Sequence, residues 1–181
     1  MIKKTNIELH RLSVEEFKES RKLPFRVVLD NVRSQHNIGA VFRTADAYRL
    51  SGIELCGICC CPPNNEIHKT ALGAEQTVPF RYFKDTLEAI RTLHEEGYKV
   101  YAVEQAYDSI TLQEFVSSIT GKQALAVVLG HEVFGVQQTV VDACDGCIEL
   151  PQYGTKHSLN VSVTAGIVIY ETATALISRQ G

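Results

Sequence analysis

Between Phe25 and Pro151 short β-branched, apolar runs take turns with segments of helical period, and this alternation limits the available folds more than any other feature. "FRVVLDN" reads as a buried strand and "NIGAVFRTADAYRL" as a helix, with Ile38, Val41, Phe42, Ala45 and Tyr48 at helical spacing. "GIELCGICC" is a second strand, followed by a helix in "NNEIHKTALG" that ends at Gly73. "VPFRYF" is a strand, and "DTLEAIRTLHEEG" a helix with Asp85 as N-cap and Gly97 just past its end. "YKVYAVE" (strand), "TLQEFV" (short helix), "QALAVVLG" (strand), "QQTVVDAC" (short helix) and "CIELP" (strand) continue the pattern. Strands separated by helices need crossovers, so the expected fold is α/β, an open parallel sheet with helices on both faces.

Two ends of the chain need separate arguments. Residues 12–22 ("LSVEEFKESRK") predict a short helix with Ser13 as N-cap and Glu16 completing a capping box, stopped by Pro24. In "KHSLNVSVTAGIVIY" the alternation of Val161, Val163, Ala165, Ile167 and Ile169 favours a strand. Nothing breaks the run from Ser158 to Ser178, however, and Leu159, Val163, Ile167, Tyr170, Ala173 and Ile177 form a helical stripe. Its length exceeds that of ordinary strands, so a helix is expected, with Ser158 near its N-cap.

Charge is uneven. Residues 1–26 hold seven Lys/Arg against four Glu, whereas the rest holds eleven basic and seventeen acidic side chains. A basic leading segment on an acidic body fits either a phosphate-contacting surface or a solvated amphipathic helix. "MIKKTNIELH" lacks the apolar core of a signal peptide, and Val161–Tyr170 is shorter than a bilayer span, so a cytoplasmic protein is expected. Two C-x-x-C pairs (Cys56/Cys59 and Cys144/Cys147) have zinc-site spacing. If "GIELCGICC" is one strand, Cys56 and Cys59 point to opposite faces, and free buried thiols are the expected reading, with no metal.

The chain contains neither G-x-G-x-x-G nor G-x-x-x-x-G-K-[ST]. Chemistry-bearing residues instead follow three strands. After the first, Asn37 and Gly39 begin a helix that carries Arg43 between apolar neighbours. Asn37 can cap that helix or orient a neighbour, Gly39 permits a close backbone approach, and Arg43 either snorkels from the helix or serves a site. "VVLGHEVFG" leaves its strand through Gly130, Glu132 and Gly135, and "IELPQYGTKHSLN" leaves through Leu150 and Pro151 to reach Ser158 and Asn160. Ligands of open parallel sheets bind at the carboxyl ends of strands, where these loops converge.

These three stretches resemble, in order and spacing, the three motifs of the SpoU family of RNA ribose 2′-O-methyltransferases, within the SPOUT superfamily. The likeness covers residues 24–178. It implies a domain over 24–181 with a deep C-terminal trefoil knot, and the basic helical segment at 1–23 is expected as an extension preceding it. It implies S-adenosyl-L-methionine as cofactor, held by Gly130, Gly135, Leu150, Pro151 and Leu159 and flanked by Val103 and Glu104 at a strand end. The catalytic set carried over is Asn37, Arg43, Glu132, Ser158 and Asn160, with Glu132 as the carboxylate nearest to Arg43, in a homodimer whose site lies near the subunit interface.

An arginine stays protonated at any working pH, so Arg43 is expected to stabilise developing alkoxide or grip a phosphate rather than act as a base. Two departures stand out. Gln152 occupies a place where many relatives have Met, and only about 25 residues precede the first strand where many relatives carry an RNA-binding domain. RNA recognition then falls to the basic segment and the dimer surface, with Arg21, Lys22, Arg33 and His36 as the candidate contacts. The expected RNA is tRNA ahead of ribosomal RNA. The alternatives are a non-catalytic RNA-binding relative and a base-directed methyltransferase.

Overall fold

The computed structural model describes residues 1–5, 7–121 and 123–179, so the last two positions of the expected domain lie outside it. Seven strands form one sheet: β1 (Leu23–Asp30), β2 (Leu50–Cys56), β3 (Phe80–Phe83), β4 (Tyr98–Val103), β5 (Ile110–Thr111), β6 (Ala124–Leu129) and β7 (Gly146–Glu149). Their spatial order is β3-β2-β1-β6-β4-β7-β5, and every pairing is parallel. The helices are α1 (Val14–Glu19), α2 (Gln35–Ala47), α3 (Asn65–Ala71), α4 (Thr86–Glu95), α5 (Leu112–Ser118), α6 (Gln138–Ala143) and α7 (Val161–Ser178).

Period two along the central strands explains the layering. In β1, Val27 and Leu29 enter a core shared with α2, α3, α5 and α7, whereas Val28 enters a second core against α4 and α6. β6 divides likewise, with Val127 and Leu129 on one side and Ala126 and Val128 on the other. Helices therefore cover both faces, as the near-continuous apolar strands require.

Local chemistry sets the helix ends. Ser13 and Glu16 form the expected capping box (Glu16 N to Ser13 Oγ 3.1 Å, Ser13 N to Glu16 Oε2 2.7 Å), and Asp85 accepts from Leu87 N at 3.0 Å. Phe17 turns the buried face of α1 into the larger core.

Several expectations are corrected. Helix α1 ends at Glu19, before Pro24, which instead lies inside β1 where the β1–β2 register shifts. A bulge tolerates a residue with no backbone donor. Strand β2 stops at Cys56, and Gly57 (φ 61°) turns the chain, so Cys56 and Cys59 do not belong to one strand. The two-residue β5 escaped the sequence reading because it is too short to show a period.

Helix α7 is the long C-terminal segment, but it starts later than expected, with Asn160 rather than Ser158 as N-cap. The Asn160 side chain accepts from Ser162 N (2.9 Å) and Val163 N (3.4 Å). At 18 residues and mean hydropathy 1.5 this helix is long and apolar enough to cross a membrane, and 44% of it is buried inside the domain. Val168, Ile169, Ala173 and Leu176 are completely buried there, next to α2, α5 and β1. Burying each of the larger three is worth roughly 2 kcal/mol.

Candidate functional site

The carboxyl ends of β4, β6 and β7 open on one cleft of about 660 Å³. Its walls are Val103 at the end of β4 and Glu104 just past it, Gly130 to Val136 after β6, and Leu150, Gln152 and His157–Val161 after β7.

Three motifs distant in sequence are joined at its edge. Glu132 accepts from Ser34 N (2.9 Å) and Asn37 Nδ2 (3.1 Å) on Oε1, and from Arg33 N (3.1 Å) on Oε2. Asn37 Oδ1 in turn accepts from Asn160 Nδ2 at 3.2 Å. A carboxylate only accepts, so it dictates that Asn37 presents its NH₂ to Glu132 and its oxygen to Asn160. Asn160 must then donate with its NH₂, which leaves its oxygen for the first turn of α7. One anion thus orients two amides and fixes how α2 and α7 begin.

The electrostatics agree. Burial works to raise the Glu132 carboxyl, but the N–H groups of Ser34 and Arg33 and the Asn37 amide outweigh it and hold the group below the ordinary 4.5. Glu132 is therefore an anion committed to positioning.

A second carboxylate shapes the cleft floor. Glu104 accepts from Gln105 N (2.8 Å) and Val136 N (3.0 Å), tying β4 to the loop after β6. The backbone comes close here. A Cβ at Gly135 (φ 66°) would stand 2.1 Å from Glu104 Oε2, and one at Gly130 would meet Gly135 C at 2.1 Å. Gln105 Nε2 reaches His157 O at 2.7 Å and pins the loop after β7.

The expected site residues divide as follows. Val103, Glu104, Gly130, Glu132, Gly135, Leu150, Ser158, Leu159 and Asn160 all line the cleft. Asn37 reaches it through Glu132 and Asn160. Pro151 is exposed beside it and does not line it. The cap of α2 is Ser34, whose Oγ accepts from Asn37 N at 3.3 Å, so Asn37 is the orienting residue and not the cap. Gly39 makes its close approach to α3, where a Cβ would stand 2.3 Å from Ile67 O, and not to a ligand.

Arg43 is the clear departure. It lies six residues beyond Asn37 on α2, hence on another face, and it lines a separate groove of about 930 Å³ with Arg11, Asp46, Arg49 and the 71–77 turn. Glu132 is not its partner, and among the described residues its guanidinium makes no hydrogen bond or ion pair. Of the expected RNA contacts, Arg21, Arg33 and His36 are exposed, and His36 Nε2 lies 3.0 Å from Glu66. Lys22 is engaged within the chain. Its ammonium caps α1 through Phe17 O and Ser20 O and sits over the Phe17 ring, and partial burial with Arg49 nearby pushes its pKa down.

Ser34, Gln105 and His157 complete the arrangement and were missed in the sequence. Ser34 had a usable signal, a helix-capping residue directly before the apolar stripe of α2. Gln105 and His157 had none.

Comparison with known proteins gives a consistent set of matches. Residues 24–170 match the SpoU rRNA Methylase family. The 23S rRNA (guanosine-2'-O-)-methyltransferase RlmB of Nitrosomonas europaea is 36% identical over 86% of this chain, which spans 58% of that protein's length. The tRNA (guanosine(18)-2'-O)-methyltransferase of Thermus thermophilus is 32% identical, over 91% of this chain and 81% of its own. Among solved structures, an AdoMet-bound rRNA methyltransferase from Sinorhizobium meliloti superposes with a TM-score of 0.77 at 27% identity, covering 88% of this chain and 60% of the other.

Proposed function

Since the chain belongs to the SpoU rRNA methylase family, we propose that it transfers a methyl group from S-adenosyl-L-methionine to a ribose 2′-hydroxyl of RNA in the cytoplasm. The observation that carries this reading is the Glu132–Asn37–Asn160 chain of hydrogen bonds at the edge of a cleft sized for a nucleoside cofactor.

The residues present fit that cofactor. The cleft combines apolar walls (Leu129, Leu150, Leu159, Val161) with exposed backbone at Gly130–Gly135 and the carboxylate of Glu104, which suits a cation with a flat base. Gly130, Gly135, Val103, Glu104, Leu150 and Leu159 would hold it, with Pro151 at the rim. When bound, it supplies an electrophilic methyl on a sulfonium.

The chain's own residues supply alignment. Asn160 and Ser158 stand at the cleft side of α7 and position the ribose, while Glu132 holds the amides that orient it. Arg43 stabilises the developing alkoxide and grips the adjacent phosphate. Because Arg43 faces away from its own cleft, it serves the cleft of a second subunit in a homodimer. Val163, Ile167, Tyr170 and Ile177 support a dimer, since they leave an apolar stripe of α7 from 38 to 53% exposed, beginning next to the cleft-lining Thr164. Residues 1–23 form a basic extension that helps to hold RNA together with Arg21, Arg33 and His36, Lys22 serving to keep it folded. The segment from β6 to α7 forms the trefoil knot, and tRNA is the preferred substrate.

The test is methyl transfer from labelled S-adenosylmethionine to bulk tRNA and, separately, ribosomal RNA from cells lacking the protein, followed by digestion to nucleosides. Label in a ribose-methylated nucleoside supports the reading and selects the RNA class. Label in a base moves the chemistry to base methylation. No label, and no change in melting temperature with the cofactor, sinks the proposal.

A further inference from the structure

The loop between β6 and α6 carries the most exposed apolar pair next to the cleft. Val133 is 70% and Phe134 82% exposed, although both line the cleft mouth. Nothing in the cofactor or ribose roles assigned above uses either side chain.

Their exposure is built into the loop. His131 and Gly135 close it with two backbone hydrogen bonds, His131 N to Gly135 O at 3.0 Å and Gly135 N to His131 O at 2.9 Å. Val133 N donates to His131 Nδ1 at 3.0 Å, which places the imidazole proton on Nε2 and locks the ring against the turn. The ring then lies beside Phe134, with centroids 4.9 Å apart and planes tilted by 37°. Between them in sequence, Glu132 bolts the loop to α2 through Arg33 N and Ser34 N. A phenyl ring held this firmly in water, braced by a second ring, forgoes burial that a more flexible loop would recover.

We infer that Phe134, braced by His131, is a stacking platform for an unpaired nucleobase of the RNA substrate, at or next to the nucleotide being methylated. The inference rests on the proposed RNA methylation. Three features select a nucleotide as occupant. The platform stands two residues from Glu132, the anion that orients the proposed reaction centre. The Nε2–H of His131 adds a hydrogen-bond donor beside an aromatic face, the pairing that a base edge and base face require. The exposed guanidinium of Arg33, whose own backbone the loop holds, complements the phosphate that accompanies such a base. Phe134 is thus a positioning and specificity residue, and Val133 extends its apolar surface.

The chain contains no tryptophan, so the F134W variant carries one indole, at the platform, which can be excited selectively over the seven tyrosines. The experiment titrates F134W with substrate RNA, with S-adenosylmethionine and with its own concentration, following emission. In parallel it measures RNA KM, cofactor Kd and sedimentation for F134A, F134L and F134W. The expected result is quenching by RNA but not by cofactor or dilution. F134A and F134L should both raise RNA KM about tenfold, and F134W should restore it. Cofactor Kd and oligomeric state stay unchanged.

Recovery by F134L would show simple apolar contact and overturn stacking. A response to cofactor alone would make the ring a lid on the adenine, and a response to dilution would make it a subunit contact; either overturns the inference. If wild type methylates RNA while no variant alters RNA KM, the platform fails and the enzymatic reading stands. If wild type methylates no RNA, the enzymatic reading itself has failed.

Discussion

Asn37 Oδ1 accepts a hydrogen bond from Asn160 Nδ2 at 3.2 Å, across 123 positions of sequence. Glu132 sets the direction of that bond by taking the Asn37 NH₂ for itself. Asn160 therefore does two jobs with two different atoms, its nitrogen serving the site and its oxygen capping α7.

Separating those jobs is the first test. Asn160→Asp keeps an oxygen for Ser162 N and Val163 N but loses the donor to Asn37, so melting temperature should hold while kcat falls by about 100-fold. Asn160→Ala loses both and should also cost about 1 kcal/mol of stability. Equal activity in wild type and the Asp variant would show that the amide donor is dispensable.

Glu132 gives a pH dependence of definite sign. Its folded carboxyl is held below the ordinary 4.5, so the fold favours the anion. The stability it contributes is fully present above that value and is lost as pH falls through the folded pKa. Glu132→Gln should lower the urea midpoint at pH 7, and its deficit relative to wild type should shrink on acidification below pH 4.5. A deficit independent of pH would mean that the charge is not what stabilises this junction.

Glu54 makes a purely structural prediction. It is fully buried on β2 and holds two guanidiniums, Arg26 at 2.5 Å and Arg81 at 2.9 Å, with Arg81 also paired to Glu96. Replacing it by Gln leaves the mostly buried Arg26 uncompensated, and the expected loss is about 3 kcal/mol in denaturant unfolding. Arg81→Ala should cost less, because the Arg81 side chain is 34% exposed and Arg26 still neutralises Glu54.

Arg43→Ala should abolish methyl transfer without changing cofactor affinity, because Arg43 does not line the cleft. If it serves the partner's cleft, co-expressing differently tagged Arg43→Ala and Asn160→Asp chains should restore about a quarter of wild-type activity, since half of the dimers hold one intact composite site. Complementation that stays at zero while mixed dimers are recovered would place both residues in the same subunit's site.

Three of the six thiols should be inert in the folded protein. Burial pushes Cys59 and Cys144 up to about 12, and Cys56 higher still. Peptide mapping after alkylation at pH 8 should find these three unmodified until denaturant is added. Rapid labelling of Cys59 in native protein would contradict its place in the core.

How much of this was legible in the sequence depends on whether a property is local. The order of strands and helices was, because unbroken apolar runs such as "VVL" and "ALAVVL" mark strands buried on both faces, and period 3.6 in α2 and α4 records which face each helix buries. The capping box at Ser13 and the cap at Asp85 were legible for the same reason, since each is completed within three residues. The start of α7 was not. Ser158 and Asn160 are both good caps, and the choice was made by the Asn37 amide, whose orientation was set by Glu132.

The site shows the same division. The residue types and their places after strand ends were in the sequence, and the resemblance to a family assembled them into one list. Only the folded chain separated that list into a connected group (Glu132, Asn37, Asn160), a cleft wall, and an Arg43 that looks the other way. Six residues along a helix turn a side chain by 600°, so spacing on α2 placed Asn37 and Arg43 on different faces. What lies opposite each face depends on chain arriving from a hundred residues away, and that only tertiary packing decides.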